Sequence, residues 1–69
     1  MQISARNQLR GIIKSVRLGT VMAEVVLELP DGQQIVAAIT RSSAEGLRLQ
    51  AGDQVTAIIK STEVMIGRE

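Results

Sequence analysis

The stretch "TVMAEVVLELP", Thr20 to Pro30, limits what this chain can fold into more than any other. Its odd positions, Val21, Ala23, Val25, Leu27 and Leu29, are all apolar, against Thr20, Met22, Glu24, Val26 and Glu28 at the even ones. A period of two sends one set to each face of a strand, so the segment predicts a half-buried strand. Pro30 cannot continue a ladder, and Asp31-Gly32 suits a tight hairpin whose central residues both take positive φ. The return strand is then "QQIVAAIT", Gln33 to Thr40. Before this hairpin lies the β-branched "LRGIIKSVRLG", and near the end come "DQVTAIIKS" and "EVMIG". One helix of a turn or two interrupts them: Ser42 and Glu45 have capping-box spacing, and Gly46 keeps the helix short. The expectation is an all-β, OB-fold-like five-stranded barrel with one short helix between strands 3 and 4.

The core of such a barrel is thin here. In 69 residues there is no Phe, Tyr, Trp or Cys, so Val, Ile, Leu, Ala and three Met must supply the interior. Folding a domain of this size buries only about 60% of the surface its unfolded chain exposes. Without disulfides or thiolate metal sites, oligomerisation is the most economical reinforcement left. The faces opposite the clean apolar set carry Met22, Val26, Val36, Ala38 and Ile58. Contiguous apolar surface of that kind marks a subunit interface, unless barrel twist buries part of both faces. No linker or repeat divides the chain, so residues 1–69 read as one domain. No apolar run approaches the roughly 20 residues of a membrane span, and no secretory signal pattern opens the chain, so neither a membrane nor export is expected and the reading is cytoplasmic.

Chemistry is limited as well. There is no His and no Cys, which removes the commonest general base, nucleophile and transition-metal ligands. Glu24, Glu28, Asp31, Asp53, Glu63 and Glu69 fall on strand exteriors, turns or the tail, and Glu45 is assigned to the cap, so no catalysis is expected. Net charge is +1, and no aromatic platform stands beside Arg6, Arg10, Lys14 and Arg17, which argues against nucleic acid. Hydrogen-bond donors remain: Ser4, Arg6 and Asn7; Thr40, Arg41, Ser42 and Ser43; Lys60, Ser61 and Thr62. Each cluster sits at a strand end without a carboxylate. A deprotonated tetrahedral oxyanion only accepts hydrogen bonds, so its site needs donors and is spoiled by acceptors.

The segments "ISARNQLRG", "TVMAEVVLEL", "AAITRSS" and "VTAIIKSTEVMIG" together resemble the molbindin, or Mop, family over essentially the whole chain. The resemblance is to its free-standing single-domain form, without DNA-binding or ATPase segments. It implies an OB-fold barrel assembled as a homohexamer, a trimer of dimers, that stores and buffers molybdate or tungstate at sites between subunits. By position, Ser4 and Arg6 match the N-terminal binding motif and Lys60 and Ser61 the C-terminal one. Thr40 and Ser43 match the polar positions that approach from the neighbouring subunit. Backbone N–H groups of Ala5, Asn7 or Ser61 are further donors, no residue is implied as a direct metal ligand, and Arg41 is not taken as a ligand. A second kind of site, near threefold axes, is placed no more closely than Gly19 to Met22. The rival expectation is a non-catalytic oligomerisation or regulatory module in which anion binding is incidental.

Overall fold

A computed structural model describes all residues, Met1 to Glu69. Strand β1 (Asn7–Leu18) is followed by β2 (Met22–Glu28), β3 (Gln34–Thr40), helix α1 (Arg41–Gly46) and β4 (Gln54–Ile59), and a 3-10 turn covers Ser61–Glu63. The strands form one antiparallel sheet in the order β3-β2-β1-β4. The long β1 holds it together. Its first half pairs with β4, from Asn7 opposite Ile59 to Ile12 opposite Gln54, and its second half pairs with β2.

Two features let β1 serve both partners. Gly11 is buried, and a Cβ there would come within 2.9 Å of the Glu28 carbonyl oxygen, so only glycine permits the approach of β2. A bulge then interrupts the register, since Ile13 faces Leu27 but Ser15 faces Val26, with Lys14 left over. Ile13 points into the core before the bulge, and Val16 packs against the core after it.

The expected alternation holds within Met22–Glu28, while Val21, 69% exposed, and the half-buried Leu29 fall outside the strand. Ala23, Val25 and Leu27 are buried, and Val25 and Leu27 join Ile13 as the core. Around them Val16, Ala37, Ile39, Leu49, Val55 and Ala57 are only partly covered. Ala44 fixes α1 against the sheet and is the one buried residue of that helix. On the opposite face Met22, Val36, Ala38 and Ile58 are exposed and Val26 is half-buried, so the curl of the sheet does not hide that apolar set.

Three local expectations need correction. The hairpin is not a two-residue turn with two positive φ values: only Gly32 is left-handed (φ 89°). Its N–H bonds to Leu29 O (2.9 Å), and Leu29 N–H reaches Gln33 O (2.7 Å), so Pro30 and Asp31 form a turn followed by a left-handed glycine. The helix is capped by Thr40 rather than Ser42, because β3 runs through to Thr40 and α1 starts immediately afterwards. Glu45 is therefore free of capping, and its carboxylate pairs with Arg41 Nε at 3.5 Å. Most importantly, "EVMIG" forms no strand. The sheet has four strands, not five, and stays open between β3 and β4 because the chain turns at Ser61–Glu63 instead of pairing onward.

Candidate functional site

The N-terminal and C-terminal donor clusters meet at one end of the sheet. Asn7 and Ile59 are the last partners of β1 and β4, so Arg6 and Lys60 leave the sheet side by side. Gln8 Nε2 donates to Ala5 O at 2.8 Å, which ties the preceding segment to the start of β1. Ser4 and Arg6 are exposed there, while Ala5 and Asn7 are half-buried. Lys60 is extended (φ −64°, ψ 136°) and Ser61 opens the 3-10 turn, whose first N–H groups have no partner within the turn. Lys14, Arg17 and Arg41 have carboxylate partners, but Arg6, Arg10 and Lys60 have none, although Glu63 lies in the same turn as Ser61. This end of the molecule therefore offers hydroxyls, backbone N–H groups and unneutralised positive charge.

Thr40 and Ser43 form the other cluster. Thr40 Oγ1 accepts the Ser43 N–H at 3.1 Å and donates to Ser43 Oγ at 2.7 Å, and the Thr40 and Ser42 hydroxyls lie 3.3 Å apart. With Thr40 as donor to Ser43, the Ser43 hydroxyl keeps its own proton free for an outside acceptor. Arg41 is tied down: its Nη1 donates to Gly19 O at 3.2 Å, and its Nε faces Glu45. Sequence reasoning missed this anchoring, because Gly19 and Arg41 are 22 residues apart and only the β2–β3 pairing brings them together.

The two clusters lie far apart within one chain. Ser4, Arg6, Lys60 and Ser61 gather where β1 begins. Thr40 faces Met22 beyond the point where β1 ends, at Leu18 opposite Ala23. β1 has 12 residues, and a strand rises about 3.3 Å per residue. One copy thus presents two separate donor clusters. The segment from Gly19 to Met22 borders a shallow depression lined by Leu18, Gly19, Met22, Val36 and Ala38, which is largely apolar. No group of three or more His, Cys, Asp or Glu side chains is placed to hold a metal ion. The one clearly displaced titration lies outside both clusters: hydrogen bonds from the Gln33 side chain and N–H hold the Asp31 carboxyl below its ordinary range.

Comparison with known proteins places the chain. The model of the TOBE domain matches residues 3–66. Molybdenum-pterin-binding protein 3 of Clostridium pasteurianum is 50% identical over 66 residues, covering 96% of this chain and 97% of the relative. The chain belongs to the TOBE domain family, among its Mop proteins. Solved Mop structures superpose closely on it. The molybdate-binding protein of Sporomusa ovata gives a TM-score of 0.92 at 44% identity, over 99% of this chain and 100% of that one. The cytoplasmic molybdate-binding protein ModG, with molybdate bound, gives 0.85 at 41% identity, over 88% of this chain and 43% of that one. The curled four-stranded sheet is accordingly the OB-like fold of Mop proteins.

Proposed function

We propose that this protein binds molybdate or tungstate as intact oxyanions, at sites shared between subunits of a homo-oligomer, and so stores and buffers them in the cytoplasm without catalysis. The observation that carries this reading is the pair of donor half-sites at opposite ends of β1, each rich in hydroxyls or N–H groups. One copy cannot close them around one small anion, whereas two copies can. In this assignment Ser4, Arg6, Lys60 and Ser61 come from one subunit, with backbone N–H groups of Ala5 and Asn7, and Thr40 and Ser43 come from its neighbour. The relatives support the ligand, since the Sporomusa ovata protein is described as molybdate-binding and ModG as a cytoplasmic molybdate-binding protein. Residues 1–69 act as one domain in an assembly taken to be a hexamer, a trimer of dimers.

Selectivity follows from size and protonation. Molybdate and tungstate match in charge and nearly in radius, so a donor cradle hardly separates them. Sulfate is smaller and leaves donors out of reach, and monohydrogen phosphate brings an O–H that finds no acceptor. An unmatched buried polar group costs about 1–3 kcal/mol, or roughly 5- to 150-fold in affinity. Calorimetric titration with the four anions tests this: molybdate and tungstate bind tightly and alike, and sulfate and phosphate bind more weakly by that factor. Sulfate binding as tight as molybdate overturns the reading. The exposed apolar face of Met22, Val36 and Ala38 favours one alternative, a non-catalytic oligomerisation or regulatory module. That alternative stands if the chain assembles but binds none of the four.

A further inference from the structure

The tip of the β2–β3 hairpin joins a carboxylic acid to a glycine. Asp31 precedes Gly32, whereas the other Asp, Asp53, and the lone Asn, Asn7, are each followed by Gln. In Asp-Gly the aspartyl carboxyl and the next main-chain nitrogen close readily into a ring, because glycine puts no side chain beside that nitrogen. Nothing crowds the site either. Pro30, Asp31 and Gly32 are exposed, and no atom lies within 4 Å of the place a Cβ on Gly32 would take. The reaction is a net isomerisation. Gly32 N attacks Asp31 Cγ of the protonated carboxyl, the N–Cγ bond forms, and the C–O bond breaks as hydroxyl and amide proton leave together as water. Solvent water then opens the succinimide. Opening at Cγ restores Asp31, and opening at the Asp31 main-chain carbonyl leaves isoaspartate, with one more carbon in the backbone. Water is the only co-reactant, released in the first step and consumed in the second.

The folded hairpin holds both reacting groups. Gln33 Nε2 donates to Asp31 Oδ2, and Gln33 N–H donates to Oδ1 at 3.1 Å. Both oxygens therefore accept, which favours the ionised carboxylate, and an ionised oxygen is a poor leaving group. The Asp31 carboxyl is held below its ordinary range by those bonds, the side-chain one first. The nucleophile is occupied as well, since Gly32 N–H donates to Leu29 O at 2.9 Å. Leu29 N–H to Gln33 O, at 2.7 Å, closes the ladder behind the turn. Gln33 thus serves this tip through its side chain, its N–H and its carbonyl.

We propose that Asp31–Gly32 is a site of spontaneous aspartyl isomerisation guarded by Gln33, so that ring closure proceeds only when the hairpin tip opens. Exposed turns open locally without global unfolding, at a free energy set by the few bonds that close them. Losing one of those bonds raises the open population, and the rate rises in proportion. The extra backbone carbon of isoaspartate falls between Leu29 and Gln33, whose bond closes the β2–β3 ladder. The site stands apart from both donor clusters and does not depend on anion binding.

The test ages the full chain at neutral pH in heavy-oxygen water, both folded and in denaturant. Peptide mapping by mass spectrometry follows label uptake and isoaspartate at each Asp and at Asn7. In denaturant, isoaspartate forms first at Asp31. The folded wild type forms it there at least about tenfold more slowly, because the tip must first open. Gln33→Ala raises the folded rate about five- to tenfold, the worth of one surface hydrogen bond to a charged group. The same substitution leaves the rate in denaturant unchanged. A denatured chain that forms isoaspartate first at Asp53 or Asn7 overturns the site. A folded wild type as fast as the denatured one overturns the guard, and so does a folded Gln33→Ala chain no faster than wild type. If alanine prevents folding, Gln33→Glu takes its place, with the same shape and an acceptor where the donor was. A wild-type rate in that folded variant likewise overturns the guard.

Discussion

The outer faces of β2 and β3 are neighbours in one sheet, yet only one of them carries charge. β2 presents Glu24 and Glu28, and β1 answers them across the ladder: Arg17 Nη1 lies 3.9 Å from Glu24, and Lys14 Nζ lies 3.5 Å from Glu28. β3 presents Val36, 61% exposed, beside Ala38, with no charge between Gln34 and Thr40. The inner faces of both strands are apolar and continuous, so the contrast is confined to the outside. It separates a face on which Glu24 and Glu28 alternate with Met22 and Val26 from one that carries no charge.

The largest test of this contrast is Val36→Asp. In the isolated chain Val36 is mostly in solvent, so the substitution leaves the far-ultraviolet circular dichroism of the monomer unchanged. In the assembly it strands an unpaired charge against apolar surface, at about 3–5 kcal/mol. The expected outcome is dissociation in sedimentation and a thermal midpoint that no longer rises with protein concentration. Unchanged association would put β3 in the same class as β2.

A smaller effect tests the proposed division of the anion site between two subunits. Arg6→Ala removes a charge-assisted donor, and Ser43→Ala removes a hydroxyl. The first is worth about 1.5–3 kcal/mol, so molybdate affinity falls tenfold or more. Dimers formed from one Arg6→Ala chain and one Ser43→Ala chain place both lesions in one site and none in the other. Half of the tight sites return by calorimetry. A site built within one chain gives no recovery. The smallest effect belongs to the wet face: Glu24→Gln breaks an exposed pair with Arg17 and changes stability by no more than about 1 kcal/mol, less at high salt.

What the sequence makes legible divides along the same line. β2 is readable because its determinant is local, five apolar residues at period two. The Asp31-Gly32 turn is readable as a turn, but not its class, since Leu29 and Gln33 close the ladder outside the dipeptide. The cap is misread for a similar reason. Both Thr40 and Ser42 are chemically fit to cap a helix, and the pairing of Thr40 with Met22 decides between them by setting where β3 ends. "EVMIG" has the composition of a strand, but composition cannot supply a neighbour, and this chain offers it none. The donor residues of the candidate site stand plainly in the sequence. Their division into two distant groups does not, because it depends on β1 spanning the sheet from β4 to β2.

The bulge at Lys14 has a consequence for how this chain can change in length. It reverses parity: inward positions are odd at Gly11 and Ile13 and even at Val16. Deleting Lys14 alone would restore strict alternation with Val16 still inward and Arg17 still outward, removing only the local bend and extra twist that the bulge gives β1. Adding or removing residues in pairs on either side would preserve the phase. The single residue that this strand can lose without turning a later side chain over is thus the bulge residue itself, whereas losing any one paired residue between Ser15 and Leu18 would reverse the faces of those beyond it.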